Sequence, residues 1–401
     1  MREERELRGV PGMAAAMWRD GRLEAAADGV ASLESGEPAT VETPFRIASI
    51  TKPHTASLAL LSGIPFDEPP AGARTRATVR QLLSHTGGLA SEWPRPLAAY
   101  GEGDEALARL ASDVPEELPL EPGELFSYCN SGYWLVAAAV AARVGTTYEE
   151  ALSRQVLEPL GLEATGFETP RGAARGHMPV AAGESRHRTV APEPYPRVRR
   201  PSGGLWSRVG EVVRFGIAQL EDPRFAALHE PQTGTPDGGY ALGWSVRETA
   251  GGLRLIEHWG SVAGFESLLA VVPTERLVVA ALTNSARGSD AITGLLRRLD
   301  LDSPFPETVE LHPDELAPLA GRYRSQNLGL VVAPERGGLL VSGAEVDPVS
   351  GDRIELPPKR GRALAGSPRR FVVIDGDAAG DRFDFPRPGM IRVGVVALRV
   401  S

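Results

Sequence analysis

Three short stretches of the chain hold the residue types from which acyl-transfer chemistry is built. The first is FRIASITKPH, residues 45–54. It carries Ser49 and, three positions on, Lys52, one of only two lysines among 43 basic residues. Residues three apart on a helix share a face, with Cβ atoms about 5–6 Å apart, so S-x-x-K sets a hydroxyl beside an amine. A desolvated ammonium, or one crowded by other cations, gives up its proton and becomes a base, whereas a guanidinium stays charged. A lysine kept where the chain otherwise uses arginine fits a nucleophile, Ser49, with a base beside it, although one S-x-x-K also arises by chance and the rest of the chain must decide.

The second stretch is YCN, Tyr128–Asn130, directly before a long apolar run. A phenol at a helix entrance can face a cleft. A cationic Lys52 would drive it toward phenolate; beside a neutral Lys52 it would relay a proton to a leaving group. The Asn130 carbonyl oxygen is suited to hold Lys52 or a substrate amide. Alone, the two residues read as a core aromatic and a helix cap. The third stretch is EHWGSVAGF, Glu257–Phe265, at a strand end. Gly260 there lets a substrate approach the backbone. The Ser261 N–H can donate to an oxyanion together with the N–H of Ser49 at its helix start. His258 would face the cleft as a donor or substrate contact, although a lone strand histidine is more often structural.

The elements that must bring these stretches together are legible in outline. GMAAAMWRDGRLEAAADGVA is two apolar runs joined at Asp20-Gly21, a hairpin signal. Ile50–Leu61 reads as a helix, with Pro53 tolerated in its first turn. Residues 62–125 are loop-rich, with short helices such as ATVRQLLSHTGG stopped by Gly87-Gly88. YWLVAAAVAA, Tyr133–Ala142, is a buried helix capped by Asn130 or Ser131 and ended by Gly145. Glu168–Pro201 is rich in Pro, Arg and Gly and reads as a long surface excursion. Strands return at LRLIEHWG, ESLLAVVP and RLVVAALTN, and SDAITGLLRRLD closes as a helix. Strands at both ends with helices between them describe a sheet assembled from the two termini, with a helical insertion between them. Composition shifts at residues 303–318, SPFPETVELHPDELAP, a linker candidate; GLVVAP, GLLVSG, RFVVIDG and RVGVVALRV beyond it make an all-β module.

Composition narrows the function classes. At 401 residues the chain is long enough for two domains, and 42% hydrophobic with 24% charged residues is globular. A net charge of −9 argues against nucleic-acid or anionic-membrane partners. Cys129 is the single cysteine, so no internal disulfide forms. The start, MREERELRGVPG, lacks the apolar stretch of a signal peptide, and the longest apolar run falls short of a membrane span, so a cytoplasmic location is expected. No G-x-S-x-G elbow, H-E-x-x-H pattern, cysteine pair, dinucleotide fingerprint or P-loop is present. His177 and His187 fall in the Arg-rich excursion and read as solvated.

In this order and at these spacings, S-x-x-K, Tyr-x-Asn and His-x-Gly resemble the serine β-lactamase and penicillin-binding-protein superfamily. The tyrosine in the second element is similar to the branch of class C β-lactamases, D-aminopeptidases, DD-peptidases of that type and family VIII esterases. His258-Trp259-Gly260 in place of Lys-Thr-Gly resembles the esterase and β-lactamase-related members more than the antibiotic hydrolases. LLSHTGGL (82–89), SGGLWSRVGEVVRF (202–215) and GFESLLAVVPTERLVVAALTN (264–284) support the resemblance, which spans about residues 8–300. The C-terminal module resembles the lipocalin-like domain appended to some members. The resemblance implies an α/β (α+β) fold, an antiparallel sheet flanked by helices with a mainly helical subdomain, over residues 1–305, and a small β-rich lipocalin-like domain over 306–401.

It further implies that Ser49 is acylated, that Lys52 and Tyr128 share the base and acid roles, that Asn130, His258 and Gly260 serve substrate binding, and that the N–H groups of Ser49 and Ser261 form the oxyanion hole. No metal or organic cofactor is implied. The expected partner is a small acyl substrate, an ester, amide or β-lactam; nucleic acid and membrane are not expected, and a homo-oligomer stays open. A true β-lactamase and a D-amino-acid peptidase or DD-carboxypeptidase are the alternatives, and a non-catalytic binding protein that keeps the fold is the rival from another class. Two departures stand out: Cys129 in the middle of the second element, where serine is common, and a short LLSGIPFDEPP after the first helix.

Overall fold

In the computed structural model the chain is described except for residues 94–95, 114, 116, 180–186, 191–194, 347–352, 377 and 401. Its centre is an eight-stranded antiparallel sheet. The expected hairpin forms one edge: Gly12–Arg19 and Arg22–Gly29 turn at Asp20 (φ 47°) and Gly21 (φ 87°), where the type I′ geometry needs positive φ at both positions. Gly12–Arg19 then pairs with Leu277–Thr283, Met13 opposite Thr283, and the order continues through Phe265–Val272 and Arg254–Val262 to short strands at 245–248, 238–240 and 233–235. The sheet is thus assembled from segments more than 200 residues apart, as the strand pattern predicts.

Helices Val209–Glu221 and Gly288–Arg298 cover the sheet, the first packing its Gly216 against Val278 and Leu269. The helical part between the sheet halves is built on Thr51–Leu61 and Asn130–Val144. The latter is buried along most of its length and ends at Gly145, which supplies the left-handed cap (φ 76°) that an L side chain resists. Its first cap differs from expectation. Cys129 occupies the N-cap position without a side-chain bond, and the N–H groups of Asn130 and Ser131 donate instead to the Ser91 carbonyl at 3.0 Å. A loop carbonyl replaces the side-chain cap, which frees Asn130 for other contacts.

Beyond residue 320, strands from Gly321 to Val400 wind into an eight-stranded barrel, closed by the pairing of Arg353–Leu364 with Ser367–Val373. The closed barrel agrees with the lipocalin resemblance. Its longest strand, RIELPPKRGRAL, is not legible as one, because two prolines and four arginines and lysines mask the alternation. The 303–318 stretch is also more ordered than a linker: Thr308–Val309 pairs with Ala363–Leu364, and Pro313–Leu316 is a short helix with a His312–Glu315 capping box. Among the described residues no helix is long and apolar enough to cross a membrane.

Candidate active site

The segment that carries Ser49 is held by backbone and hydroxyl contacts. Ser49 lies in a 3-10 turn, Ala48–Ile50, at the head of helix Thr51–Leu61. The residue before it, Ala48, has φ 45°, a left-handed conformation that a non-glycine residue adopts only under constraint. That constraint is visible. The Thr51 hydroxyl donates to the Ala48 carbonyl at 2.7 Å and accepts the Leu205 N–H at 3.2 Å; the Ser267 hydroxyl donates to the Ile47 carbonyl at 2.9 Å. Gly260 belongs to the same clamp. A Cβ there would lie 2.2 Å from the Ile47 carbonyl and 2.3 Å from Ser267 Oγ. The glycine at 260 therefore admits the chain's own segment ahead of Ser49, where the sequence suggested room for a substrate; this corrects the substrate-contact reading of Gly260.

Lys52 is fully buried, with Nζ 3.1 Å from Ser49 Oγ and donating at 2.7 Å to the Ser202 carbonyl. Burial holds its pKa well below the usual lysine range, and the Arg199 guanidinium adds to this, against an opposing pull from Glu92. A neutral amine has one lone pair and two N–H groups. With one N–H committed to Ser202, the lone pair can face the Ser49 hydroxyl. Ser202 itself is fixed by Trp134, whose indole N–H donates to Ser202 Oγ at 2.9 Å. Tyr128 lines the same cavity as Ser49, whose side chain pulls against the burial of the phenol, and the Tyr128 ring centroid lies 4.7 Å from Lys52 Nζ. Burial raises the Tyr128 pKa, so the phenol keeps its proton. The structure thus brings Ser49, Lys52 and Tyr128 together from two distant elements.

Asn130 lies at the same cavity but does not hold Lys52; its amide donates to Glu92 Oε1 at 2.6 Å, and Arg199 donates to the same oxygen at 3.2 Å. His258 lines the cavity opposite, almost wholly buried, with its pKa lowered to about 3 by burial. Its ring belongs to a bonded row across the site. Because a carbonyl only accepts, His258 Nδ1 donates to the Trp259 carbonyl at 2.6 Å, and Nε2 then accepts from the Tyr240 hydroxyl at 3.0 Å. At the other end His85 Nδ1 accepts the Cys129 N–H at 2.9 Å, so His85 Nε2 donates to Tyr240 at 3.1 Å. Every donor in this row has one acceptor, and both imidazoles are fixed as single neutral tautomers. Ser261 lines the cavity, and its hydroxyl donates at 2.6 Å to Glu266, whose carboxyl is pushed up to about 8 by burial.

Sequence reasoning missed Ser202, Glu92, Tyr240 and His85. Ser202 contributes a carbonyl, for which no residue type is a signal. Glu92 sits in a loop without periodicity. His85 and Tyr240 act on each other across 155 positions. His85 is inside LLSHTGGL and has φ 58°, so the motif marks a strained turn as well as a partner. His177, read as solvated, is buried: its backbone bonds Gly264 and Asn284, and its pKa falls to about 4. The excursion that carries it returns to the site through Tyr195 and Arg199, while 180–186 and 191–194 lie outside the described residues.

A helix-flanked antiparallel sheet that sets a serine, a buried lysine and a tyrosine into one cleft is the architecture of the β-lactamase-type serine hydrolases. A family model described as Beta-lactamase matches residues 1–302, and the chain belongs to that family. It is 29% identical over 368 residues to penicillin-binding protein 4 of Amycolatopsis lactamdurans, covering 79% of this chain and 94% of that one. It is 27% identical over 363 residues to a D-aminopeptidase of Brucella anthropi, covering 82% of this chain but only 66% of that longer protein. The crystal structure of SurE superposes over 100% of this chain and 97% of its own with TM-score 0.75 and 25% identity, and a structure of SurE with D-Leu does so with TM-score 0.74.

Proposed function

We propose that this chain is a serine hydrolase that works through an acyl-enzyme at Ser49, and that its substrates are small D-configured aminoacyl esters or amides. The observation that carries the first part is the meeting of Ser49 Oγ, Lys52 Nζ and the Tyr128 hydroxyl around one fully buried, depressed lysine. Lys52 takes the Ser49 proton as Oγ bonds the acyl carbon. The oxyanion forms against the N–H groups of Ser49 and Ser261. The carbon–leaving-group bond then breaks, the Tyr128 hydroxyl delivers a proton to the departing oxygen or nitrogen, and the proton on Lys52 restores the phenol. Water repeats the sequence in reverse roles and frees the acid. Tyr128 acts here as a neutral relay, the alternative that goes with a neutral Lys52.

The D-aminoacyl assignment is supported by the D-aminopeptidase among the relatives and by the D-Leu in the SurE structure. It is also supported by Glu92, buried at the cavity beside Asn130: its Oε1 accepts from Asn130 and Arg199, and its Oε2, which has no hydrogen-bond partner among the described residues, offers an acceptor to a substrate ammonium. His258 and Asn130 contact the substrate on the two walls. The test sets four substrates side by side: D-alanine and L-alanine p-nitroanilides, p-nitrophenyl acetate and a chromogenic cephalosporin. The D-anilide should be cleaved at least tenfold faster than the L-form. Preference for the cephalosporin would make the chain a β-lactamase, and activity on the ester alone an esterase. If nothing turns over and intact-mass analysis finds no acyl adduct on Ser49, the protein is a binding scaffold and the proposal fails.

A further inference from the structure

The cavity that holds Ser49 and Tyr128 is not confined to the hydrolase part. It is one space of about 840 Å³, and its far wall is the mouth of the C-terminal barrel. Leu328, Leu330, Val341, Leu356, Phe383 and Val393 line it, all apolar. Leu328, Leu330, Val341 and Phe383 also belong to the barrel's own core cluster, and Leu356 and Val393 pack against it, so these side chains face inward from the barrel wall. Leu330, Gly343 and Leu356 sit in one register row across three adjacent strands and all three line the cavity, which places the opening at that level of the barrel. Eight-stranded barrels of this kind have interiors just wide enough to be filled by side chains or to hold one small ligand.

The barrel is fastened to the catalytic segment itself. Tyr128 donates its N–H to the Gly394 carbonyl at 3.0 Å, and Val396 donates its N–H to Ser127 Oγ at 3.1 Å. The apolar mouth therefore opens at a fixed position relative to the Tyr128 hydroxyl. Four charged residues of the barrel share the wall, and each has a partner: Lys359 pairs with Asp381 at 2.9 Å, Arg382 lies 3.9 Å from Asp237, and Glu345 accepts from the Asn327 amide at 2.9 Å.

We propose that the barrel mouth is a binding subsite for an extended uncharged apolar chain of the substrate, alkyl or aromatic, remote from the bond that is cleaved. The assignment rests on Ser49 being the acylated nucleophile, since that fixes which end of the cavity holds the scissile bond. The chain can belong to the acyl part or to the leaving group, and two substrate series separate these. One is p-nitrophenyl acetate, butyrate, octanoate and decanoate; the other is D-alanine methyl, butyl, octyl and decyl ester.

Each methylene buried is worth roughly 0.8 kcal/mol, about fourfold in kcat/KM. In one of the two series kcat/KM should climb by at least tenfold from the shortest to the octyl or octanoyl member. Leu356→Trp, at a half-buried position on the mouth, should remove that climb while leaving the shortest substrate within about twofold; Val393→Trp provides the same test should the first variant misfold. Binding without turnover is read on Ser49→Ala with the methyl ester of 11-(dansylamino)undecanoic acid, whose fluorescence should rise on binding, and should not rise with Leu356→Trp added. A flat dependence on chain length in both series, or an equal loss on all substrates in both tryptophan variants, overturns the subsite. If no substrate is cleaved, the catalytic reading fails and the dansyl measurement alone decides the subsite: a fluorescence rise that the tryptophan removes upholds it, and no rise overturns it.

Discussion

Lys52 is where a residue-level argument is sharpest. The chain uses arginine almost everywhere, yet at this position the side chain is fully buried, bonded to a carbonyl and a serine, and held well below the usual lysine pKa. A structural cation would be replaceable by arginine. A proton carrier would not, because a guanidinium stays protonated. Lys52→Arg is therefore expected to lower kcat by about 10³-fold or more, about 4 kcal/mol of barrier, and Ser49→Ala to reach a similar floor. The double variant should be little worse than either single one, since the two residues act as a unit. A folded Lys52→Arg protein within about tenfold of wild type would take Lys52 out of the chemistry. The pH dependence has a defined sign. kcat/KM should rise with pH as Lys52 loses its proton, through a pKa well below 10.5. His258, at about 3, makes no contribution to that limb above pH 5, so His258→Gln should leave its position unchanged.

At the scale of elements, the site is two walls tied across a cleft, and Tyr240 is the tie. Its hydroxyl accepts from His85, which holds the Cys129 N–H of the helix entrance, and donates to His258 on the strand. Tyr240→Phe leaves a buried His85 N–H without an acceptor and His258 without its donor, at a cost of about 1–3 kcal/mol in stability. Activity should fall about tenfold with the fold retained. Nitrogen-15 spectra of histidine-labelled protein give the specific signature: in the wild type His258 carries its proton on Nδ1 and His85 on Nε2, and only those two change in Tyr240→Phe. Opposite tautomers in the wild type would break the row as drawn. The same elements show what a sequence can and cannot disclose. The S-x-x-K, Tyr-x-Asn and His-x-Gly stretches were legible because their chemistry is carried by residue type and local spacing. The row through His85 and Tyr240 was not, because its partners meet only after the sheet has folded. Gly260 shows a third case: the residue was rightly singled out, but the atom it makes room for, the Ile47 carbonyl, lies 213 positions away in sequence and appears only in the packed structure.

The whole molecule joins two packing units through the active site. Two apolar clusters lie before residue 302, one of them including Leu301, and a third runs from Leu316 to Ala397, with no apolar residue shared among those described. Separate cores predict that residues 1–302, the span matched by the family model, keep their fold when the barrel is removed. The composition shift suggests two units with 303–318 as their connection, whereas Thr308–Val309 pairs with a barrel strand and Pro313–Leu316 is a helix. Cleavage by a protease at low dose is accordingly expected at 303–307, ahead of those elements.

Function should not survive as the fold does. Removing the barrel takes away the Gly394 carbonyl that accepts the Tyr128 N–H and the Val396 N–H that binds Ser127. It also exposes Phe126 and Tyr240 on the cavity wall to water. The backbone carrying Tyr128 then has one anchor fewer on the side of the leaving group, and the cleft admits solvent, which weakens each charge interaction inside it. A chain ending at residue 302 should melt cooperatively and keep its circular dichroism per residue. Its kcat on p-nitrophenyl acetate should fall at least tenfold, and its preference among longer substrates should disappear. A truncated chain that is unfolded would show that the two units stabilise each other, and one with full activity would show that the barrel's hold on Ser127 and Tyr128 has no part in catalysis.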